Sequence, residues 1–247
     1  MAYILEACVD SVESAMEAIK GGANRLELCS NLIIGGTTPN INLFKLIKEK
    51  STIKINVLIR PRYGDFCYTE NEFEIMKKDI QMFKEAGADG VVIGILKPDG
   101  TLDLERLKVL IAEAKGMHIT LHRAFDLCSD PFAALEEAKL IGVNSILTSG
   151  QKNKCTEGIE LLKALVEKAE GSIEILIGSG INSNNVQEIV SYTGSHAVHA
   201  SGKIEVESLM EYRKKDISMG FPILSEYVIL RTDKEEITKI RTVLEQL

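Results

Sequence analysis

The sequence lacks most of the features that would assign it quickly. No run of apolar residues is longer than a strand, far short of the roughly 20 needed to cross a bilayer, so no membrane partner is expected. Basic residues are outnumbered, 29 Lys and Arg against 36 Asp and Glu, and the net charge of −7 is spread along the chain. Phosphate backbones are bound through basic patches, so nucleic acid is not the expected partner either. The five cysteines include no C-x-x-C pair, and no Cys/His cluster has zinc spacing. A structural zinc is therefore not expected, and the odd number of cysteines reads as reduced thiols. The N-terminus shows no basic region followed by an apolar core; residues 3–8 already read as a strand, so the expectation is a cytoplasmic protein. The first strand runs into CVDS at 8–11, with no Gly-rich fingerprint, so no nucleotide cofactor is indicated.

What remains is an ordinary globular composition, 45% hydrophobic and 26% charged in 247 residues. Short Leu-rich and β-branched runs at 4–7, 25–28, 55–59, 90–93, 118–121, 145–147, 174–177 and 197–200 read as strands. Amphipathic stretches at 12–20, 43–49, 72–86, 104–115, 131–140, 157–170 and 185–192 separate them, and a last helix is expected over 234–247. Three helices run into their next strands through the same phrase, GANR at 22–25, GADG at 87–90 and GVNS at 142–145. Glycine at a helix C-cap takes the left-handed conformation, and the small residue after it re-enters extended backbone. The pattern predicts one α/β domain, a single (β/α)8 TIM-type barrel of parallel strands. The barrel itself covers about residues 3–202, and 203–247 form a C-terminal extension ending in a helix.

In such a barrel the chemistry collects where strands run into their following loops. Strands one and two end alike, LEAC at 5–8 and LELC at 26–29. Side chains alternate along a strand, so Glu6 shares a face with Cys8, and Glu27 with Cys29. Two neighbouring thiols suit Cu(I), although a buried cysteine is commonly just a small hydrophobe. An acid inside a barrel is unfavourable unless it is paired or used. Arg60 and Arg62, after strand three, offer planar donors for a carboxylate or phosphate; Arg60 could equally neutralise Glu6 or Glu27. His122, at the end of strand five, is a candidate general acid/base, with Asp126 placed to orient it or to cap the next helix. Gly178, Ser179 and Gly180 after strand seven, and Ser201 after strand eight, are the small residues with which a barrel presents backbone N–H groups to an anion. The GGTTP loop at 35–39 is either a flap over the mouth or a connector. Read as an enzyme, the inventory fits a small anionic or phosphorylated substrate, with Glu6, Glu27 and His122 moving protons.

These strand-end phrases also resemble a known family. EACVDS at 6–11, RLELC at 25–29, GGTTP at 35–39, IRPR at 59–62, GDF at 64–66, HRAFD at 122–126, ILTSG at 146–150 and GSGI at 178–181 are similar to those of the copper homeostasis protein CutC family. The resemblance runs from residue 3 to about 202. It implies a TIM-like barrel in the cytoplasm, a role in copper tolerance or trafficking, and Cu(I) binding through Cys8 and Cys29. Copper ion or a small anionic ligand is then the expected partner, and the reading leaves room for a homo-oligomer.

Overall fold

A computed structural model describes residues 3–221 and 224–247. Eight parallel strands close into a barrel in sequence order. They are β1 (Ile4–Val9), β2 (Arg25–Leu28), β3 (Lys54–Leu58), β4 (Gly90–Ile93), β5 (His118–Leu121), β6 (Ser145–Thr148), β7 (Glu174–Ile177) and β8 (Ala197–Ala200). The helices between them are α1 (Val12–Lys20), α2 (Ile41–Lys50), α3 (Glu70–Glu85), α4 (Leu104–Glu113), α5 (Pro131–Ile141), α6 (Ile159–Ala169) and α7 (Val186–Thr193). The predicted strands all form, five with the predicted bounds and β1, β3 and β6 with ends moved by one or two residues, as expected where fraying and capping set the boundary.

The repeated phrase before β2, β4 and β6 does more than turn the chain. Gly22, Gly87 and Gly142 take positive φ, as predicted. The Asn or Asp two residues later then pairs with the preceding strand from both its backbone and its side chain. Asn24 accepts from Leu5 N–H through Oδ1 at 2.9 Å and donates its own N–H to Leu5 C=O at 3.1 Å. Asp89 does the same with Ile55 (3.0 and 3.0 Å), and Asn144 with Ile119 (2.8 and 2.9 Å). Because register decides which side chains face inward, these clamps help set the contents of the barrel.

Outward positions such as Leu5, Ala7, Leu26, Val57, Val91, Ile146 and Val198 pack under the helices in the main core. Inward positions are unlike the branched apolar layers usual in such barrels. Only two small apolar groups sit inside, one of Cys8, Cys29, Leu58 and Val92, and one of Leu147, Leu176 and Ala197. Glu6, Arg25, Glu27, Asn56, Thr120, His122 and Ser145 are buried beside them.

The stretch after residue 202 contributes an antiparallel two-stranded ribbon, β9 (Lys203–Glu207) with β10 (Val228–Thr232), then α8 (Lys234–Glu245). Helix α8 packs against α7 and α1, burying Ile237, Ile240 and Leu244, and so occupies the eighth place in the helical ring. The ribbon was not legible in the sequence, because its alternation of charge and apolar side chains has no buried face: every residue of β9 is exposed. No helix among the described residues is long and apolar enough to cross a membrane.

Candidate functional site

Within the lower half of the barrel the charged side chains pair with one another, and Thr120 Oγ1 is left without a partner among the described residues. Arg25 donates from Nε to Glu6 at 2.5 Å and from Nη2 to Glu174 at 2.9 Å. Glu174 also accepts from Ser145 Oγ at 2.8 Å, and Ser145 meets His118 Nε2 at 2.8 Å. Arg25, not Arg60, is therefore the cation that neutralises Glu6. The sequence reading overlooked it because it stands at the end of a connector phrase. Burial opposes ionisation of Glu6, but the Arg25 charge and the bond from His199 outweigh it and bring the carboxyl down to about 2. Glu6 lies beneath the cavity described below and is not part of its lining.

His199 links this layer to the mouth. It projects inward from β8, and its Nδ1 lies 2.9 Å from Glu6 Oε1. Burial alone would lower its basicity, but the carboxyls of Glu27 and Glu6 raise it above the ordinary imidazole value. Sequence analysis missed this residue. Only closure of the barrel sets β8 against β1 and brings His199 to a residue 193 positions away.

Above it, Cys8 and Cys29 meet as the alternation predicted, their sulfurs 3.9 Å apart. Cys8 Sγ also lies 3.4 Å from Glu27 Oε1. The bond with Cys29 and burial push the Cys8 thiol up, and burial pushes the Glu27 carboxyl up. Cys8 Sγ, a Glu27 oxygen and a His199 nitrogen all fall within 4.8 Å of one another. A disulfide needs about 2.05 Å between sulfurs, so this pair is reduced. One ion can touch both thiols, because their separation is below twice a metal–thiolate bond of about 2.3 Å.

A cavity of about 600 Å³ opens over Cys8. Its wall includes Glu27, Arg60, Phe66, His122, Arg123 and His199, with Ser179, Gly180, Ser201 and Lys203 also lining it. His122 accepts at Nδ1 from Ala124 N–H at 3.1 Å, so its proton sits on Nε2. That Nε2 is buried and has no partner among the described residues, and the same is true of Arg60 Nε and Glu27 Oε2. Burial, aided by the Arg60 charge, lowers the His122 pKa to about 3, which keeps the imidazole neutral at any physiological pH. Gly94, following β4, makes room for this ring; a Cβ there would collide with it.

The two arginines after β3 have different surroundings. Arg60 is buried over Phe66, its guanidinium 5.0 Å from the ring centre. It donates to the carbonyls of Gly35, Gly36 and Gly64, so the GGTTP loop is tied to β3 and serves as a connector. Arg62 points away from the cavity, to Glu72 at 2.7 Å and Asp65 at 3.0 Å, where it holds the start of α3. Asp126 neither orients His122 nor caps α5, as had been expected of it. It accepts from Thr148 Oγ1 (2.5 Å), from the N–H groups of Ser149 and Gln151 (both 3.1 Å), and from Arg123 Nε (2.7 Å). Its work is to hold the loop after β6. Gly178 lies beside Leu147 and His199, where a Cβ would come within 2.7 Å of the leucine side chain.

Comparison with known proteins agrees with this fold. The CutC family profile matches residues 3–204. A protein of Homo sapiens named copper homeostasis protein cutC homolog is 43% identical over 97% of this chain and 87% of its own length. A family protein CutC of Parabacteroides distasonis is 45% identical over 96% and 98%. The crystal structure of a CutC protein from Streptococcus agalactiae superposes with a TM-score of 0.77 at 33% identity, covering 81% of this chain and 98% of that one. A thiamine phosphate pyrophosphorylase from Pyrococcus furiosus, at 16% identity and a TM-score of 0.59, shares the fold alone. With a profile match over most of its length and relatives above 40% identity across nearly all of it, the chain belongs to the CutC family.

Proposed function

We propose that this protein serves copper homeostasis by holding Cu(I) at Cys8 and Cys29, with His199 or Glu27 as a third donor. The observation that carries the reading is Cys8 at the wall of a cavity, grouped with a His199 nitrogen and a Glu27 oxygen, and with the buried Cys29 sulfur 3.9 Å behind it. Two thiolates and one nitrogen form a soft, low-coordinate set. Such a set favours Cu(I), whereas zinc asks for four donors in a structural site. The names of the human and mouse relatives support the same reading. A cytoplasmic location fits it as well, because thiols remain reduced there.

The test is an anaerobic Cu(I) competition titration of the wild type, Cys8→Ser, Cys29→Ser and the double variant. One tight site per chain is expected, weakened in each single variant and lost in the double. Binding that ignores both thiols would overturn the reading. A second reading, an enzyme acting on a small anionic substrate with neutral His122 donating a hydrogen bond to developing charge, draws on the unpartnered Nε2 of that residue at the cavity. Under it, Arg60, Ser179, Gly180 and Ser201 would hold the anion. Substitution at His122 would then change a turnover that is indifferent to the thiols.

A further inference from the structure

A bare ion would fill a small part of the space above the thiol pair. The cavity's 600 Å³ lies within the range of pockets that enclose whole organic ligands. Its charge also departs from that of the chain. Against a net charge of −7 overall, the lining carries Arg60, Arg123 and Lys203, with only Glu27 and Asp126 opposing them. Arg123 and Asp126 are paired with each other at 2.7 Å, which leaves Arg60 and Lys203 against Glu27. Two buried donors of wall residues, Arg60 Nε–H and His122 Nε2–H, make no hydrogen bond among the described residues. An unpaired buried donor is unfavourable by about 1–3 kcal/mol, so two of them in one cavity wall mark a place for an acceptor-bearing ligand.

We propose that the ion arrives as a Cu(I) complex of a small anionic thiol, whose organic part occupies this cavity while its ion passes to Cys8 and Cys29. The inference rests on the copper reading above and adds the form in which the metal is recognised. The exchange is balanced without any further reagent. Each Cu–S bond to the carrier breaks as a Cu–S bond to Cys8 or Cys29 forms, and copper stays in the +1 state throughout. The proton of each protein thiol leaves with the departing carrier sulfur, so the carrier is released as free thiol. A carboxylate of such a carrier matches the exposed Lys203 on the rim, and its amide oxygens match the unpaired donors deeper in.

The test compares two copper sources under anaerobic stopped flow, Cu(I)–glutathione and the tetra-acetonitrile Cu(I) complex, with S-methylglutathione as a metal-free competitor. Transfer from Cu(I)–glutathione is expected to saturate with donor concentration and to be slowed competitively by S-methylglutathione. Lys203→Glu, at an exposed position on the rim, is expected to lower the glutathione-to-acetonitrile rate ratio by about tenfold, the effect of roughly 1.4 kcal/mol. A rate linear in Cu(I)–glutathione, blind to the competitor and to Lys203→Glu, would overturn the inference while leaving the copper site in place. Failure of copper to bind from either source would overturn the copper reading and this inference with it.

Discussion

The lower half of the barrel interior and its mouth are both lined with charged and polar side chains, but they leave their hydrogen-bonding groups in different states. Below, Glu6, Arg25, Glu174, Ser145 and His118 form an unbroken chain of contacts between 2.5 and 2.9 Å. Above, Glu27 Oε2, Arg60 Nε and His122 Nε2 are buried and unpaired beside a reduced thiol pair. A fully satisfied polar network fixes a structure, whereas buried groups left without partners persist where something else is to be bound. The same barrel thus uses buried polarity for architecture at one end and, on the copper reading proposed above, for binding at the other. His199 stands between them, bonded downward to Glu6 and grouped upward with Cys8 and Glu27.

The contrast can be broken from below, and that is where the largest effect is expected. Arg25→Met leaves two carboxylates facing each other without their cation, and removing one partner of a buried pair destabilises by about 3–5 kcal/mol. Urea unfolding at neutral pH would show it. A loss within 1 kcal/mol would mean that the lower network is not structural.

Acid acts on the same layer. The folded carboxyl of Glu6 titrates at about 2 against an unfolded value of 4.5, a depressed pKa. Its contribution is therefore complete above pH 4.5 and is lost as the pH falls from there toward 2. Urea midpoints measured down this range should fall more steeply for the wild type than for Glu6→Gln, which has no carboxyl to protonate. Parallel curves would remove Glu6 from the acid response.

At the junction, His199→Gln is expected to lower Cu(I) affinity by about 10–100-fold, the usual scale for a residue that supports or completes a metal site. Its effect on folding should be smaller than that of Arg25→Met. Copper affinity unchanged in His199→Gln would place the histidine wholly in the lower network. The smallest effect is expected outside both layers. Arg62 is partly exposed and pairs with Glu72 and Asp65, so Arg62→Ala should cost about 1 kcal/mol or less in stability and leave copper binding as it is. A change in copper affinity in that variant would mean that its place in the fold has been misjudged.

Much of this arrangement was legible in the sequence, and what was not has a physical reason. Strand alternation put Glu6 with Cys8 and Glu27 with Cys29 on one face, and the structure brings all four inside. The recurring Gly-Ala/Val-Asn/Asp phrase announced the helix-to-strand turns, though not that its third residue would clamp the preceding strand. Arg60 and Arg62 stand two apart and look equivalent in sequence. Their separation into a cavity wall and a helix start depends on loop geometry that local pattern does not encode. His199 escaped notice because AVHA reads as a strand with one polar residue. Its inward position on the last strand, next to the first in any closed barrel, was the signal that could have found it.

The account depends most on the claim that the mouth holds copper through sulfur. X-ray absorption at the copper edge of the Cu(I)-loaded wild-type protein tests this most directly, because sulfur and nitrogen or oxygen neighbours scatter differently. Two sulfur donors with one lighter donor is the predicted shell, and loss of both sulfurs in Cys8→Ser/Cys29→Ser is the predicted control. A shell of nitrogen and oxygen alone in the wild type would contradict the account.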